Sequence, residues 1–247
     1  VGALDGKRAI VTGASSGIGA ATAQALAAEG AAVAAGARRL DRLAELGDGV
    51  IALELDVTDR ESSASFVTSA VHRLGGIDVL VNNAGLALGR DLFDDSTEED
   101  EETVLETNVH GLIRMTRLCL PHLAEGGYIV NIGSIAGRQA YEGAALYVAS
   151  KFAVRGFTYA LREDLLGRPI HLTTVDPGLV ETNFSRVRFR GDADAAAKVY
   201  EGVEAVTPAD VADCVMFAVT RPPNVNIDEI VVKALAQSSP SRILREG

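Results

Sequence analysis

The chain has 247 residues, 47% hydrophobic and 23% charged, enough to bury a large core without disulfides or metals. A formal net charge of −11 argues against a nucleic-acid polyanion as partner, because phosphate binding needs a basic face. No apolar run reaches the ~18 residues of a membrane span, so no membrane partner is expected. Val1 to Arg8 lacks the basic-then-apolar layout of a signal peptide, and a cytoplasmic protein is expected. Cys119 and Cys214 sit in apolar surroundings without metal-ligand spacing and read as thiols of a reduced compartment. His72, His110, His122 and His171 are scattered, with no pair at i, i+4, so no metal site is expected.

Short apolar runs alternate with helix-like stretches. Ala9-Ile10-Val11 predicts a first strand and Ala20–Glu29 the helix after it. Ala31–Ala35, Ile51–Leu55 and Val79–Val81 predict the next strands, separated by helices over Leu40–Leu46 and Ser62–Leu74. A long helix around Glu102–Leu120, a strand Tyr128–Ile132, a helix Tyr147–Leu166 and a strand His171–Val175 follow, with Val231–Val232 a candidate last strand. Strands so short and so apolar on both faces are covered on both sides, as in parallel sheets. The alternation predicts a doubly wound α/β fold, a largely parallel sheet flanked by helices on both faces, as a single domain over 1–247. Gly178 to Ala205 is polar and interrupts the pattern. It reads as a disordered insertion or a lid, and its place after a strand end favours a substrate lid over 178–205.

Thr12-Gly13-Ala14-Ser15-Ser16-Gly17-Ile18-Gly19 follows the first strand and opens the first helix. Glycine there lets the backbone turn sharply and approach a pyrophosphate, while the helix N-terminus offers unpaired N–H groups and a positive dipole end. A tight structural turn is the bland alternative, but the strand–loop–helix context favours a dinucleotide site. The missing Gly-Lys-Ser/Thr ending counts against a P-loop. The second strand ends Gly36-Ala37-Arg38-Arg39, where an NAD site would place a carboxylate for the ribose hydroxyls. A guanidinium pairs with a 2′-phosphate and lies over adenine, so Arg38 and Arg39 favour NADP(H) over a plain surface charge run. Asp56 is a candidate acceptor for the adenine amino group, with Val57 packing on the ring; Asp56 reads equally well as a helix or turn cap.

Tyr147 and Lys151 lie four apart on a predicted helix and face the same way. A lysine beside a tyrosine stabilises phenolate and is expected to lower the phenol pKa from ~10 toward the working range. Such a group gives a proton to a nascent alkoxide or takes one from an alcohol, although taken alone the pair is a frequent surface feature. Ser134 lies just past the strand Tyr128–Ile132, where doubly wound folds bind ligands. Its hydroxyl is a candidate to hold a carbonyl oxygen, and a helix N-cap is its other reading.

With these residues in view, the sequence resembles the short-chain dehydrogenase/reductase family, in its single-domain form of about 250 residues. Four motifs occur in order: Thr12–Gly19, Asn82-Asn83-Ala84-Gly85, Ser134 and Tyr147-x-x-x-Lys151. Asp176-Pro177-Gly178, followed by Val180 and Thr182, is similar to the family's segment that meets the nicotinamide amide. The likeness runs from Gly6-Lys7 to about Lys233. It implies a Rossmann fold and an NADP(H)-dependent oxidoreductase that moves a hydride between nicotinamide and a small carbonyl or alcohol. It further implies Tyr147 as general acid/base and Lys151 as holder of the nicotinamide ribose. Ser134 would support the developing oxyanion, and the backbone carbonyl of Asn108 would hold a relay water. Asn83 is expected to brace the sheet, and Ala84-Gly85 to leave room beside the ribose.

Asn82–Gly89 (NNAGLALG), Ser185–Asp192 (SRVRFRGD) and Asn224–Ile227 (NVNI) look like the NADP-dependent serine and 3-hydroxy acid dehydrogenases of that family. More loosely, the chain is similar to antibiotic-pathway aldehyde reductases. In the first case a lid arginine, Arg188 or Arg186, would anchor a substrate carboxylate; exposed lid charges are the alternative. Gln139 and Tyr141 are expected to line the substrate pocket. Apolar residues on more than one face of the helices around Glu102–Leu120 and Tyr147–Leu166 admit a subunit contact, and the family resemblance implies a homotetramer. Two rival readings stand beside the enzyme. One is an NADP(H)-binding sensor or scaffold without turnover, against which the complete set of Asn108, Ser134, Tyr147 and Lys151 speaks. The other is a nucleotide-sugar epimerase or dehydratase, for which too little chain follows Val175.

Overall fold

Neighbouring residues of the first strand point into two different apolar layers: Ala9 and Val11 into one, Ile10 into the other. The computed structural model describes residues 2–246; Val1 and Gly247, the ends of the domain expected over 1–247, lie outside it. The strands are β1 (Arg8–Thr12), β2 (Ala32–Ala37), β3 (Val50–Glu54), β4 (Ile77–Asn82), β5 (Leu123–Ile132), β6 (Ile170–Pro177) and β7 (Glu229–Val232). All pair in parallel, forming one seven-stranded sheet in the order β3-β2-β1-β4-β5-β6-β7. The order reverses between β1 and β4, so a crevice opens at their carboxyl ends, where doubly wound sheets bind ligands.

Among the described residues the helices are α1 (Gly17–Ala28), α2 (Leu40–Ala44), α3 (Arg60–Leu74), α4 (Glu98–Leu105), α5 (Leu112–Cys119), α6 (Ala145–Asp164), α7 (Phe184–Arg188), α8 (Ala193–Lys198) and α9 (Pro208–Val219). Leu26 of α1 and Val211, Val215 and Val219 of α9 cover the face carrying Val11, Val33, Val81 and Val130. Phe66 of α3, Met115 and Cys119 of α5 and Leu161 of α6 cover the face carrying Ile10, Ala34, Leu80 and Ile129. No helix among the described residues is long and apolar enough to cross a membrane.

Several boundaries depart from the sequence expectation. α1 starts at Gly17 rather than Ala20, because the glycine loop itself winds into the first turn. β5 starts at Leu123 rather than Tyr128, pairing Leu123 with Ile77 before a register shift. The expected long helix is two helices, α4 and α5, joined by a π-helical turn over Glu106–Gly111 that contains Asn108. The segment 178–205 is folded, with α7 and α8 inside it. α9 was not expected at all, although Thr207 and Asp210 form a capping box with Pro208 in the first turn.

A buried polar ladder crosses the middle of the sheet. Asn82 Nδ2 donates to Thr116 Oγ1 and to Asn131 Oδ1, and Asn131 Nδ2 donates to Thr158 Oγ1, each at 2.9 Å. It ties α5, β4, β5 and α6 together near the carboxyl edge of the sheet. Asn131→Ala should leave one buried Asn82 Nδ2 proton unpaired at about 1–3 kcal/mol, while Asn82 keeps Thr116 and Thr158 keeps the Val154 carbonyl, lowering Tm by roughly 5 °C in thermal unfolding.

Candidate active site

The carboxyl ends of β1 and β4 are stitched together by one threonine and one asparagine. Thr12 Oγ1 accepts from the N–H groups of Asn83 and Ala84, both at 3.0 Å. Asn83 Nδ2 donates to the carbonyls of Thr12 at 2.9 Å and Gly13 at 3.1 Å. A Cβ on Gly13 would stand 2.8 Å from Ala84 Cα, and one on Gly19 would collide with Asn83 Nδ2. Gly13 and Gly17 have φ of +66° and +57°, a backbone that side chains disfavour. Ser16, the N-cap of α1, makes no side-chain cap, and the first turn holds no acidic residue. Helix N–H groups therefore stay available to an anion, and the loop fits a dinucleotide pyrophosphate. Ile18 packs on the core, Gly85 leaves 3.2 Å between a would-be Cβ and Asn108 Oδ1, and Thr182 approaches Gly17 from the far side.

The two arginines after β2 part company. Arg39 Nη2 donates to Ser15 Oγ at 2.9 Å and Ser16 Oγ at 3.2 Å. With Arg42, Gln24 and Asn183 these residues line a cleft of about 300 Å³. Arg38 instead lends its charge to Asp56. Burial pushes the Asp56 carboxyl up, but hydrogen bonds from the Thr58 N–H (2.9 Å) and hydroxyl (2.7 Å), with the charges of Arg38 and Arg114, hold it below the usual range. Asp56 thus caps a turn through Oδ1. Val57 is buried against the Gly111 backbone.

Tyr147 and Lys151 lie one turn apart on α6, with Nζ 5.8 Å from the centre of the tyrosine ring. Lys151 is buried and donates to the Ile132 carbonyl at 2.9 Å. Burial pushes its ammonium down to about 8, against a smaller upward pull from Asp176. Burial also pushes the Tyr147 phenol up to about 12; the Ser134 hydrogen bond and the Arg188 charge oppose the rise without reversing it. This is the opposite of the direction expected from the Tyr–Lys spacing. Desolvation outweighs attraction because Nζ is engaged by a carbonyl rather than held against the phenol. Ser134 Oγ accepts from the Ala136 N–H at 3.1 Å, so it is also the N-cap of the short turn Ile135–Gly137.

Asn108 Oδ1 accepts from the Leu86 N–H, and its Nδ2 donates to the Leu86 carbonyl, both at 2.8 Å. Nδ2 also donates to Ser150 Oγ at 3.0 Å, and Ser150 donates to the Tyr147 carbonyl at 2.7 Å. Asn108 therefore braces the turn that carries Tyr147. On the open side, the Arg188 guanidinium lies 5.5 Å from the Tyr147 ring centre and 5.6 Å from that of Tyr141. Arg188 Nε donates to the Gly89 carbonyl at 3.1 Å and Nη2 to Tyr141 Oη at 2.9 Å. Arg186 points elsewhere, into a hollow of about 490 Å³ shared with Gly17, Thr182 and Tyr200. Gln139 is exposed, and its side chain makes no hydrogen bond among the described residues. At the end of β6, the Gly178 N–H donates to the Val232 carbonyl at 2.8 Å, and Val180 bridges to Val206.

The sequence profile of the short chain dehydrogenases matches residues 7–192. An NADP-dependent 3-hydroxy acid dehydrogenase of Schizosaccharomyces pombe is 41% identical, covering 98% of this chain and 98% of its own. The NADP-dependent 3-hydroxy acid dehydrogenase YdfG of Escherichia coli (strain K12) is 42% identical, over 93% of this chain and 95% of its own. Among solved structures, the closed form of serine dehydrogenase complexed with NADP+ matches with a TM-score of 0.91 and 40% identity. That match covers 97% of this chain and all (100%) of the other. The chain belongs to the short chain dehydrogenase family.

Sequence reasoning missed several residues that shape this dehydrogenase site. Thr12 was quoted only as the head of the glycine motif, and it proves to be the last residue of β1. Phe184, whose ring lies 5.6 Å from that of Tyr147, carried no signal. Asp176 was quoted only as part of a motif, yet it is 1% exposed and accepts from Arg138 Nε at 2.7 Å and Thr174 Oγ1 at 2.5 Å. Arg138 also reaches Glu229, which pairs with Arg155 Nε at 3.0 Å. Gly133 is confined to glycine because a Cβ would collide with Asp176 Oδ1.

The displaced lysine titration has a stability consequence. From pH 8 to about 10.5 the unfolded chain holds a proton on Lys151 that the folded chain has shed, so this residue adds stability as pH rises. Below pH 8 that contribution is missing. Relative to wild type, Lys151→Met should therefore be most favourable near pH 7 and lose up to about 3 kcal/mol of that advantage by pH 10, read by urea unfolding.

Proposed function

We propose that this short chain dehydrogenase uses NADP(H) to interconvert a small carbonyl and its alcohol, with a 3-hydroxy acid or a serine-like alcohol as the substrate class. The observation that carries the substrate class is Arg188, a guanidinium held 5.5 Å from the ring of the proton-transfer tyrosine. Gly13, Ser15, Ser16, Gly17, Ile18 and Gly19 would hold the dinucleotide pyrophosphate, Arg38 and Arg39 would take its 2′-phosphate, and Asp56 and Val57 would border the adenine. Asn83, Ala84 and Gly85 would flank the ribose, and Pro177, Gly178, Val180 and Thr182 would meet the nicotinamide amide. When bound, the cofactor gives a hydride to the carbonyl carbon or takes one from the alcohol carbon, and its oxidised ring adds positive charge that favours phenolate.

The chain's own residues do the rest. Ser134 Oγ–H donates to the substrate oxygen, and Tyr147 Oη delivers the proton as the oxygen becomes an alcohol. A phenol that stays protonated at neutral pH in the unliganded protein is already loaded for reduction. Lys151 holds the nicotinamide ribose and supplies the ammonium that steadies the phenolate, and the Asn108 backbone carbonyl holds a water that refills the proton. Arg188 turns from Tyr141 and Gly89 to pair with the substrate carboxylate, and Gln139 and Tyr141 border the same pocket. Residues 178–205 act as the lid. A cytoplasmic homotetramer completes the reading, supported by Phe152 and Tyr159 exposed on α6 and by cysteines that carry no disulfide.

Purified protein should consume NADPH in the presence of 3-oxo acids or aldehydes and reduce NADP+ with 3-hydroxy acids or serine. Tyr147→Phe should lose about 10²–10⁴ in kcat while still binding NADPH. Faster turnover with NADH than with NADPH would overturn the assignment of Arg38 and Arg39. Arg188→Ala should raise KM about tenfold for acids and leave the KM of their methyl esters unchanged.

A further inference from the structure

α4 opens with four consecutive acids, Glu98, Glu99, Asp100 and Glu101, and only Asp100 is buried, at 7% exposure. A carboxylate turned inward needs a cationic partner, since an unpaired charge away from water is strongly disfavoured. The partner is Arg190, 90 residues along the chain. Its Nη2 sits 2.7 Å from Asp100 Oδ1 and 2.6 Å from Oδ2. Arg190 has φ of +52° and is the one non-glycine residue with positive φ among the described residues. The turn is a helix ending: the Arg190 N–H donates to the Val187 carbonyl and the Gly191 N–H to the Arg186 carbonyl. Local backbone preference at this position favours glycine or asparagine, so an arginine there points to a task for its side chain.

Two residues upstream stands Arg188, fastened on the same wall of the cleft. Its carbonyl accepts from the Gly89 N–H at 2.8 Å, and its Nε returns a bond to the Gly89 carbonyl. The stretch 188–190 is thus held at two points, to the loop after β4 and to the first turn of α4. The backbone bond to Gly89 fixes residue 188 itself, and the Arg190–Asp100 pair adds a side-chain hold on α4 that does not use the guanidinium that meets substrate. We propose that the Arg190–Asp100 ion pair is a clamp that positions Arg188 over Tyr147, making Arg190 and Asp100 positioning residues for carboxylate substrates. This rests on the assignment of Arg188 as the carboxylate anchor and of 178–205 as the lid.

Three variants test the clamp. Asp100→Asn removes the charge without changing shape, Arg190→Gly removes it while relaxing the backbone, and Arg190→Lys retains it. The first two should raise KM for the 3-hydroxy acid about five- to tenfold, with kcat within about twofold of wild type. NADPH affinity and KM for the methyl ester should stay unchanged, and Arg190→Lys should restore much of the loss. The double variant Asp100→Asn/Arg190→Gly should be no worse than either single, because both remove one interaction. Arg190→Gly leaves Asp100 without its partner, so its Tm should fall by a few degrees with the relaxed backbone offsetting part of the loss, and positioning is read from the split between acid and ester KM. Chymotrypsin, acting at Phe184, Phe189 or Tyr200, should cut the lid faster in both charge-removing variants than in wild type. Equal cutting rates, or KM rising equally for acid and ester, would overturn the clamp. Faster cutting in enzymes that never prefer acid over ester would keep the clamp and remove the carboxylate role of Arg188 instead.

Discussion

An ammonium group buried at the carboxyl edge of a parallel sheet is expensive, and the architecture around Lys151 is built to hold one there. The Ile132 carbonyl at the end of β5 accepts its proton, and the carboxylate of Asp176 at the end of β6 supplies a favourable field. That carboxylate is itself buried and is balanced by Arg138. Arg138 is shared with Glu229, whose carboxyl burial would push up, but which hydrogen bonds from Arg138, Tyr159 and Arg155 hold down to about 2. A single lysine therefore requires a charge relay that runs out to the edge strand β7. Helix α6, the end of β5, the end of β6 and β7 are bound into one rigid block by it.

Rigidity on this side contrasts with adjustable contacts on the other. Arg188 is satisfied by one tyrosine hydroxyl and one backbone carbonyl, both neutral acceptors that a carboxylate outcompetes. Arg39 likewise rests on two serine hydroxyls. Each arginine is parked on weak acceptors and is ready for a stronger anion. In a protein with a net charge of −11, Arg39 and Arg188 are two cations whose side-chain hydrogen bonds go to neutral oxygens rather than to carboxylates.

Local regularities made much of this legible. Strand–helix alternation predicted the doubly wound sheet because short runs apolar on both faces and longer stretches with period-3.6 burial on one face leave different marks in sequence. The glycine loop was readable because close backbone approach excludes side chains, as the collisions at Gly13 and Gly19 bear out. α9 was missed although its capping box was in plain sight, since the exposed Phe217 beside the buried Val215 and Val219 blurs the periodic contrast. The π-helical turn at Glu106–Gly111 was illegible because nothing in ETNVHG breaks a helix; the extra residue follows from seating Asn108 against Leu86 and Ser150.

By itself, the sequence determined the fold class, the glycine loop between β1 and α1, and the placing of Tyr147 and Lys151 one helical turn apart past the end of β5. These depend on spacing within one element or on residue types that no other geometry tolerates. Tertiary structure alone decided the neighbours of each arginine: Arg39 rests on Ser15 and Ser16 while Arg38 acts on Asp56, and Arg188 lies over Tyr147 while Arg186 lines the hollow beside Gly17. It also decided the direction in which Tyr147 and Lys151 titrate. Those outcomes depend on desolvation and on partners tens of residues away, and such sums over the folded surroundings have no counterpart in the spacing of two residues on a helix.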